Sequence, residues 1–522
     1  MISNSENSNY DVIVIGSGMG GLATGSILAQ LGKKRVLMLE RHFKLGGFTH
    51  SFRRKDYEWD VGVHYIGEMH RGALTRGMMN FVTRCGVQWN PMSSPFEKFM
   101  FPGETFSVST DPKVFQADLI ARFPDERDSI VRYFKDVKNA QSWSVRWFVS
   151  KALPAFMAKP MLYFGKDLVS MTTTEYLTKH FKDPLLRGIL AAQWPDYGSP
   201  PGESAFGAHA TVTADYFHGG FYPVGGSKEI ATHACAAITD NGGKCLVNHK
   251  VSKLLVKDRK VFGVTAENKG KEIDFYAPIV VSNAGGVTTF GKLAPPETCK
   301  VERERISRLK NGTSAICLFV GLNDDPRKHG FSDCNYWLYS QVDHDTRTLR
   351  RQGHIDAPLD GAFVSFGSLR NPGQEPHTAQ VISFCGEKEW EAFEGTDWKN
   401  RGEDYEQKKE GYAQMLLDYS ERFLPGFRKL VAFHELSTPL TVKSFTGHWG
   451  GAIYGQAFDA NRLFRDNWPI STSIRNLYLT GSDVGTSGVN GALMGGAMTA
   501  AKILGMTGLP RVMMKAMSLK DK

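Results

Sequence analysis

The feature that most constrains the fold is a glycine-rich turn that joins an apolar strand to a helix near the start of the chain. The turn spans Gly16 to Gly21; a strand is predicted over residues 11–15, a helix over 22–31 and a second strand over 35–40. The glycines allow a tight turn, a close approach of the backbone to a pyrophosphate and close packing of the helix. This order of elements predicts a dinucleotide-binding βαβ unit.

An acidic residue after the second strand supports the same interpretation. Glu40 stands where a carboxylate can bind ribose hydroxyls, and a phosphate would lie at the N-terminus of the preceding helix. Arg41 and a Gly46-Gly47 pair follow in the sequence. The residues predicted to bind the nucleotide at this end of the chain are Gly16, Ser17, Gly18, Met19, Gly20, Gly21, Glu40, Arg41, Gly46 and Gly47.

The glycine fingerprint does not separate FAD from NAD, but the other end of the chain favours FAD. A strand over residues 476–480 leads into Gly481-Ser-Asp483, and a glycine-rich turn then opens a helix near residues 488–492. The positive end of such a helix stabilises an anionic reduced flavin. The further residues predicted to bind the cofactor are Val251, Gly481, Asp483, Val489, Asn490 and Ala492.

External redox partners have no domain of their own in this sequence. No second G-x-G-x-x-G follows a strand, so NAD(P)H or another electron donor or acceptor would have to reach the flavin from outside. Signatures of a P-loop, a zinc protease and a nucleophile elbow are missing, and no metal site is predicted. The difficult chemistry is therefore expected to belong to the flavin.

Composition excludes several other classes of protein. The 522 residues carry a net charge of +9 without any basic and aromatic run, which argues against nucleic-acid binding but leaves an anionic membrane surface open. The seven cysteines are scattered, which favours a reducing compartment. No signal sequence or stretch of 18 apolar residues is present, so we expect a cytoplasmic protein. The oligomeric state is left open.

The rhythm of strands and helices predicts two domains built from alternating segments. We expect an α/β, Rossmann-type FAD-binding domain and an α+β substrate domain. The predicted FAD-binding segments are residues 1–75, 226–295 and 446–510. The predicted substrate-domain segments are residues 76–225, with a helical flap, and residues 296–445. Residues 511–522 are predicted to be a frayed tail.

Motifs spread along the chain resemble those of phytoene desaturase-type flavoproteins, in the branch of retinol saturases and carotenoid isomerases. The motifs lie at residues 16–47, 60–67, 193–198, 220–226, 438–441 with Gly455, and 479–496. This resemblance covers nearly the whole chain. It implies the two-domain plan shared with amine oxidases, one FAD per chain and a lipophilic polyene or isoprenoid substrate, such as a retinoid or carotenoid. It implies saturation, desaturation or cis–trans isomerisation of a double bond.

Candidate substrate-binding residues are aromatic. Those predicted to form pocket walls, or else ordinary core, are Trp194, Tyr197, Phe206, Tyr216, Phe217, Phe221 and Tyr222. His64 and Tyr65 are the catalytic candidates, because reduction of a double bond needs a proton donor as well as a hydride. The alternative for this pair is a structural role. Asp196 and Glu203 are further candidate acids, or solvated loop carboxylates.

The position of one segment and the class of protein are both left open by the sequence. Trp143 to Met171 mixes aromatic residues with lysines, which is typical of a segment resting on a bilayer but also of a helical flap over the cavity. The enzyme class is also open to an amine oxidase, although those enzymes usually carry an aromatic residue where this chain has Val489-Asn490. The third alternative is a lipid-binding protein that keeps FAD as a structural element.

Overall fold

The computed structural model describes residues 10–346, 359–460 and 462–522 of the chain. A five-stranded parallel sheet forms one layer, with the first strand, Val12–Ile15, at its centre. Its strands are uninterrupted apolar runs because parallel sheets are covered on both faces. In spatial order they are Leu477–Leu479, Ile279–Ser282, Val12–Ile15, Val36–Leu39 and Lys244–Leu246.

Helices and a small antiparallel sheet cover this layer. The helix Met19–Gly32 packs on the helix Gly488–Ile503, so the first and last motifs of the sequence meet. The antiparallel sheet consists of Lys250–Lys257, Lys260–Asn268 and Lys271–Tyr276.

A seven-stranded, mixed sheet forms the second layer. In spatial order its strands are Val431–Ser437, Ser314–Leu322, Thr378–Cys385, Gly361–Ser365, Asn335–Tyr339, Glu97–Phe101 and Glu104–Val108. Two short antiparallel pairs join the layers: Ser51–Arg54 with Tyr57–Asp60, and Trp89–Pro91 with Phe221–Pro223. Each layer has its own apolar core, as the predicted two-domain plan requires. The residue boundaries of the domains stay a prediction.

Most of the remaining chain is helical. The 26-residue helix Arg127–Ala152 packs on Phe206–Asp215 and buries Trp143 and Trp147. The other α-helices are Leu74–Val82, Pro112–Arg122, Ala155–Met161, Lys166–Ser170, Thr173–His180, Pro184–Ala191, Lys228–Thr239, Gly286–Thr288, Lys300–Ile306, Gly367–Arg370, Glu403–Phe423, Pro439–Thr446 and Gly508–Met517. Among the described residues, no helix combines the length and the apolar character needed to cross a bilayer.

The predicted frayed tail is wrong. The C-terminal residues form the helix Gly508–Met517, which packs on Leu74–Val82 and buries Val512 and Ala516 completely. A Cβ added at Gly77 would lie 2.2 Å from the Ala516 carbonyl oxygen, so the two helices touch backbone to backbone. Arg511, Lys515 and Lys522 are exposed, whereas the buried apolar residues of this helix face the protein. The basic composition of the tail therefore did not indicate a packed helix.

Candidate functional site

A large cavity of about 1130 Å³ lies between the two layers. Its wall begins at the glycine turn of residues 16–20 and passes the start of the helix Gly488–Ile503. It ends on the seven-stranded sheet around Trp337 and Phe363. Because parallel strands direct their carboxyl ends to one edge of a sheet, the turns after four strands of the parallel sheet, those that contain Gly16, Glu40, Asn283 and Ser482, meet here. One continuous space therefore joins a nucleotide-type cradle to an aromatic chamber.

The glycine turn is closely packed against backbone atoms at some of its positions and open to the cavity at others. Gly16 has a φ of +89°, which favours glycine. A Cβ added at Gly20 would lie 2.2 Å from the Cα atom of Gly481, whereas one at Gly18 would meet only the Asn283 side chain, at 3.0 Å. Gly20 thus serves packing between the two ends of the chain, and Gly18 faces the cavity.

Glu40 is buried and organises the turn. One carboxylate oxygen accepts hydrogen bonds from the backbone N–H of Ser17 at 2.8 Å and from its hydroxyl at 2.7 Å, and the other accepts from the N–H of His42 at 2.8 Å. The Ser17 hydroxyl oxygen accepts in turn from the N–H of Gly46. The acid therefore ties the glycine turn to the loop after the second strand while still lining the cavity.

The ends of two helices fit the FAD that the sequence predicts. Neither Gly18, before the helix Met19–Gly32, nor Ser487, before Gly488–Ile503, gives its helix a side-chain cap. Both helix starts line the cavity, so their free N–H groups and positive dipole ends suit a pyrophosphate and an electron-rich flavin ring. The Ser487 hydroxyl and the Asn490 amide oxygen are buried without a hydrogen-bond partner among the described residues. Such orphaned polar atoms need a ligand or water.

Most of the predicted cofactor residues lie on this cavity. Those that line it are Gly16, Gly18, Met19, Gly20, Glu40, Arg41, Gly46, Gly47, Val251, Val489, Asn490 and Ala492. Ser17 lies behind Glu40, and Gly21 packs against the carbonyl oxygen of Gly16. Gly481 packs on Gly20, and the Asp483 carboxylate accepts a hydrogen bond from the N–H of Gly286 at 2.7 Å. Their direct contact with a cofactor stays a prediction.

The aromatic half of the cavity agrees only in part with the predicted pocket. Tyr197 and Tyr216 line it, whereas Trp194, Phe206, Phe217, Phe221 and Tyr222 do not. Trp194 packs on Phe384, and the hydroxyl of Tyr222 donates to Asp60. Phe221 is held in a short strand pair, and Phe206 and Phe217 are core. The aromatic walls that sequence reasoning missed are Trp337, Tyr339, Phe363, Phe384, Tyr454 and Phe458.

His64 lines the cavity but is electrically neutral at physiological pH. Burial lowers its pKa to about 3, and the nearby Arg370 guanidinium adds to the effect. The imidazole lies edge-on to Phe363, with ring centroids 5.2 Å apart, while the backbone carbonyl of His64 accepts a hydrogen bond from Arg370 at 2.6 Å. An imidazolium donor is therefore disfavoured here, and the catalytic role of His64 stays a prediction that rests on position alone.

Tyr65 lies between two acids, Glu97 and Asp196. Its hydroxyl oxygen is 2.6 Å from Oε1 of Glu97 and 2.7 Å from Oδ2 of Asp196. Asp196 lines the cavity, whereas Glu97 is fully buried behind Tyr65. Glu203, the other candidate acid, is exposed outside the cavity lining.

Sequence reasoning missed Glu97, although a local signal exists. Glu97, Phe99 and Phe101 alternate along one strand, and all three are buried. An acid in phase with the apolar face of a strand is expensive unless it is hydrogen-bonded, so the alternation itself marks Glu97 as unusual.

Comparisons with known proteins agree with this site. The family model of flavin containing amine oxidoreductases matches residues 19–504. The all-trans-retinol 13,14-reductase of Homo sapiens is 31% identical over 96% of this chain and 87% of its own length. The prolycopene isomerase of Daucus carota is 25% identical over 96% of this chain and 81% of its own length.

Solved structures show the same fold at low identity. Wild-type putrescine oxidase bound to putrescine has a TM-score of 0.63 at 15% identity and covers 95% of this chain and 98% of its own. Cyclohexylamine oxidase from Brevibacterium oxydans has a TM-score of 0.60 at 15% identity, covering 95% and 98%. The predicted two-domain plan and the prediction of FAD are thereby confirmed. The chain belongs to the family of flavin containing amine oxidoreductases and is an FAD-dependent oxidoreductase related to the all-trans-retinol 13,14-reductases.

Proposed function

We propose that this protein uses FAD to saturate, desaturate or isomerise a carbon–carbon double bond in a lipophilic polyene, with a retinoid or carotenoid as the substrate class. The observation that carries the proposal is the single cavity shared by the nucleotide cradle and a chamber walled by Trp337, Phe363 and other aromatic side chains. Aromatic walls offer apolar area and flat faces to a conjugated chain. Relatives 29–31% identical are named all-trans-retinol 13,14-reductases.

The chain's own residues would divide the work. Residues 16–20 and Glu40 would hold the adenosine and pyrophosphate, and the start of the helix Gly488–Ile503 would face the flavin ring. Bound FAD supplies hydride transfer to or from carbon. The aromatic chamber would exclude water and align the polyene, which lowers the entropy cost of bringing the reacting atoms together.

Amine oxidation is the competing function, since the family model carries that name. Asn490 stands where those enzymes usually have an aromatic residue, and its amide donates to the carbonyl of Gly67 at 3.1 Å and to Asp215 at 3.2 Å. This side chain is thus fixed by hydrogen bonds, and it cannot form an aromatic wall for an amine. That contrast favours a polyene.

The test is anaerobic flavin spectroscopy with both substrate classes. Protein reduced with dithionite is mixed with all-trans-retinol or a poly-cis carotenoid, and the flavin absorbance and product mass are followed. Reoxidation with a gain of two hydrogens indicates saturation, and an unchanged mass with altered geometry indicates isomerisation. For desaturation, a saturated analogue should bleach the oxidised flavin. In parallel, the oxidised protein is mixed with putrescine and cyclohexylamine.

Bleaching by an amine alone would replace the proposal with amine oxidation. A flavin that responds to no substrate while lipid co-purifies would favour the third alternative, a lipid-binding protein with structural FAD. That alternative has a precedent in name, because a Danio rerio relative that is 29% identical over 96% of this chain is called an inactive all-trans-retinol 13,14-reductase.

We further propose that electrons come from, or go to, a partner such as NAD(P)H that enters from solvent, in a reducing, cytoplasmic compartment. The seven cysteines are all free, which supports such a compartment. A stopped-flow experiment compares NADPH with a protein electron carrier as the reductant of the flavin. If the carrier reduces the flavin and NADPH does not, the electron donor is the carrier.

We also propose peripheral contact with a membrane through a patch of four exposed apolar side chains. Phe156, Met157, Tyr163 and Phe164 are 77, 46, 75 and 74% exposed, and the exposed Lys159 and Lys166 lie among them. Aromatic and basic residues together suit an anionic bilayer interface. The preceding helix, Arg127–Ala152, lines the cavity with Trp147, so a lipid substrate would have a short route inward.

Flotation with vesicles containing anionic lipid tests the patch. A Phe156→Glu, Phe164→Glu variant should stay with the soluble fraction, whereas the matched control Val301→Glu, exposed elsewhere on the surface, should float like the wild type. Within the segment Trp143 to Met171, Trp147 and Phe148 are both buried, so the proposed contact is confined to the later residues of the segment. Equal flotation of the patch variant and the control would leave the segment as a flap.

A further inference from the structure

We infer that Asp196 is a protonated carboxylic acid that delivers a proton to the substrate in the cavity, with Tyr65 and Glu97 as positioning residues that hold this proton in place. The inference rests on the proposed function, since it assigns the proton donor for that reaction.

The hydrogen bonds around the Tyr65 hydroxyl need more hydrogens than the phenol carries. A phenol has one hydrogen, yet the Tyr65 oxygen lies 2.6 and 2.7 Å from oxygens of two carboxyl groups. Hydrogen bonds this short on both sides require a second hydrogen, because two ionised carboxylates are acceptors only. One of the two acids must therefore carry a proton and donate it to the Tyr65 oxygen.

The hydrogen-bond partners of the two acids place that proton on Asp196. Glu97 is surrounded by donors: besides Tyr65, Nε2 of Gln193 lies 2.8 Å from Oε2 and Nε1 of Trp337 lies 3.1 Å from Oε1. Three donors and no acceptor favour the carboxylate form of Glu97. Within the described residues, Tyr65 is the one hydrogen-bond partner of the Asp196 carboxyl. The proton order is then Asp196 to Tyr65 and Tyr65 to Glu97.

The electrostatic surroundings agree with this order. Burial, followed by the nearby Glu97 charge, holds the pKa of Asp196 well above its usual range. The other titratable groups facing Asp196 are Tyr216 and Tyr454, both buried phenols that stay neutral, and the cations nearest Tyr65 include Arg370. The pKa of Glu97 is also raised, to about 7, because the effect of burial exceeds the lowering by its hydrogen-bond donors. The ionised member of the pair is thus the one with more hydrogen-bond donors, although it is the more deeply buried.

The Asp196 carboxyl group is accessible to a substrate in the cavity. Asp196 and Tyr65 lie on the cavity wall together with His64, which is neutral, and Trp337. A double bond that has received a hydride on one carbon keeps an electron pair at the other. In the proposed step the O–H bond of Asp196 breaks, that pair forms the new C–H bond, and a carboxylate remains on Asp196. Water entering the open cavity after product release restores the proton.

Infrared spectroscopy of the FAD-loaded protein tests the assignment without turnover. The wild type should show the carbonyl band of a protonated, deuterium-sensitive carboxylic acid at neutral pH. Asp196→Asn should remove one component of this absorption, leaving that of other protonated acids such as Glu68, and Tyr65→Phe should shift the same component by removing its acceptor. The matched control Glu203→Gln, an exposed acid seven residues away, should leave the absorption unchanged. Loss of that component in Glu97→Gln with retention in Asp196→Asn would place the proton on Glu97 and overturn the inference.

Turnover provides the second readout. Asp196→Asn should lower kcat by about 10²-fold or more with its flavin content intact, which is the usual size of a general-acid contribution. Tyr65→Phe should shift the alkaline limb of the pH profile of kcat, an effect that a packing defect alone would not produce. Near-normal turnover in Asp196→Asn overturns the proton role. A wild type without activity on any polyene refutes the proposed function, whereas the infrared result stands or falls independently.

Discussion

Removal of the Glu40 carboxylate should destabilise the FAD-free protein by an amount set by the hydrogen bonds it accepts. Two backbone donors, the N–H groups of Ser17 and His42, lie 2.8 Å from its oxygens in buried positions. An orphaned buried donor costs about 1–3 kcal/mol, so Glu40→Ala should cost about 2–6 kcal/mol. Glu40→Gln keeps one acceptor oxygen and orphans one donor, and it should cost about 1–3 kcal/mol.

Urea denaturation of the FAD-free variants measures the effect. The comparison is between transition midpoints at an unchanged slope, because a chain of two domains need not unfold in one step. Glu203→Gln is the matched control, and an exposed substitution of this kind should change stability by less than about 0.5 kcal/mol. A loss below about 1 kcal/mol in Glu40→Ala, or equal losses in the alanine and glutamine variants, would refute the reasoning.

Three further changes have defined outcomes. Gly18→Val should lower the FAD content of purified protein with little loss of stability, because its Cβ meets only the Asn283 side chain; full flavin occupancy would contradict this. Burial, with the nearby Asp215, raises the pKa of Glu68 to about 8, so its stability contribution is greatest below pH 4.5 and falls up to about pH 8; Glu68→Gln should flatten the loss of thermal stability between pH 6.5 and 8. Deletion of residues 508–522 should cost about 3–6 kcal/mol through the loss of buried Val512 and Leu519, seen as a lower urea midpoint.

The sequence predicts the nucleotide cradle well because its contacts are local. The turn at Gly16–Gly21, its flanking strands and Glu40 lie within about thirty residues, and each has a distinct pattern. The meeting of this cradle with the Asn490 region is also predictable, since both segments carry glycine-rich helix starts. The backbone of the first segment packs directly on that of the last one, for example Gly20 on Gly481, and a side chain at Gly20 would prevent this contact.

The aromatic chamber is harder to predict because it depends on strand pairing across long stretches of sequence. Glu97 meets Trp337, 240 residues away, through a parallel pairing that no turn or local pattern specifies. Aromatic residues in a motif rich in them, such as Trp194 and Tyr222, look alike in sequence whether they face a cavity or a core. Trp194 lies in a short helical turn and Tyr222 in a two-stranded pair, and their directions depend on tertiary packing that no local pattern specifies.

The protonation state of the cavity wall explains how an amine oxidase fold can suit an uncharged polyene. An ionised carboxylate is the strongest partner that a buried pocket can offer an alkylammonium ion in exchange for its lost hydration. Burial holds the pKa of Asp196 well above its usual range and lowers that of His64 to about 3, so burial favours the uncharged form of both groups. A wall without an ionised carboxylate compensates an ammonium ion poorly for its lost hydration. An uncharged polyene needs no such compensation. The same burial that keeps Asp196 protonated therefore selects against amines and retains the proton that a saturated product requires.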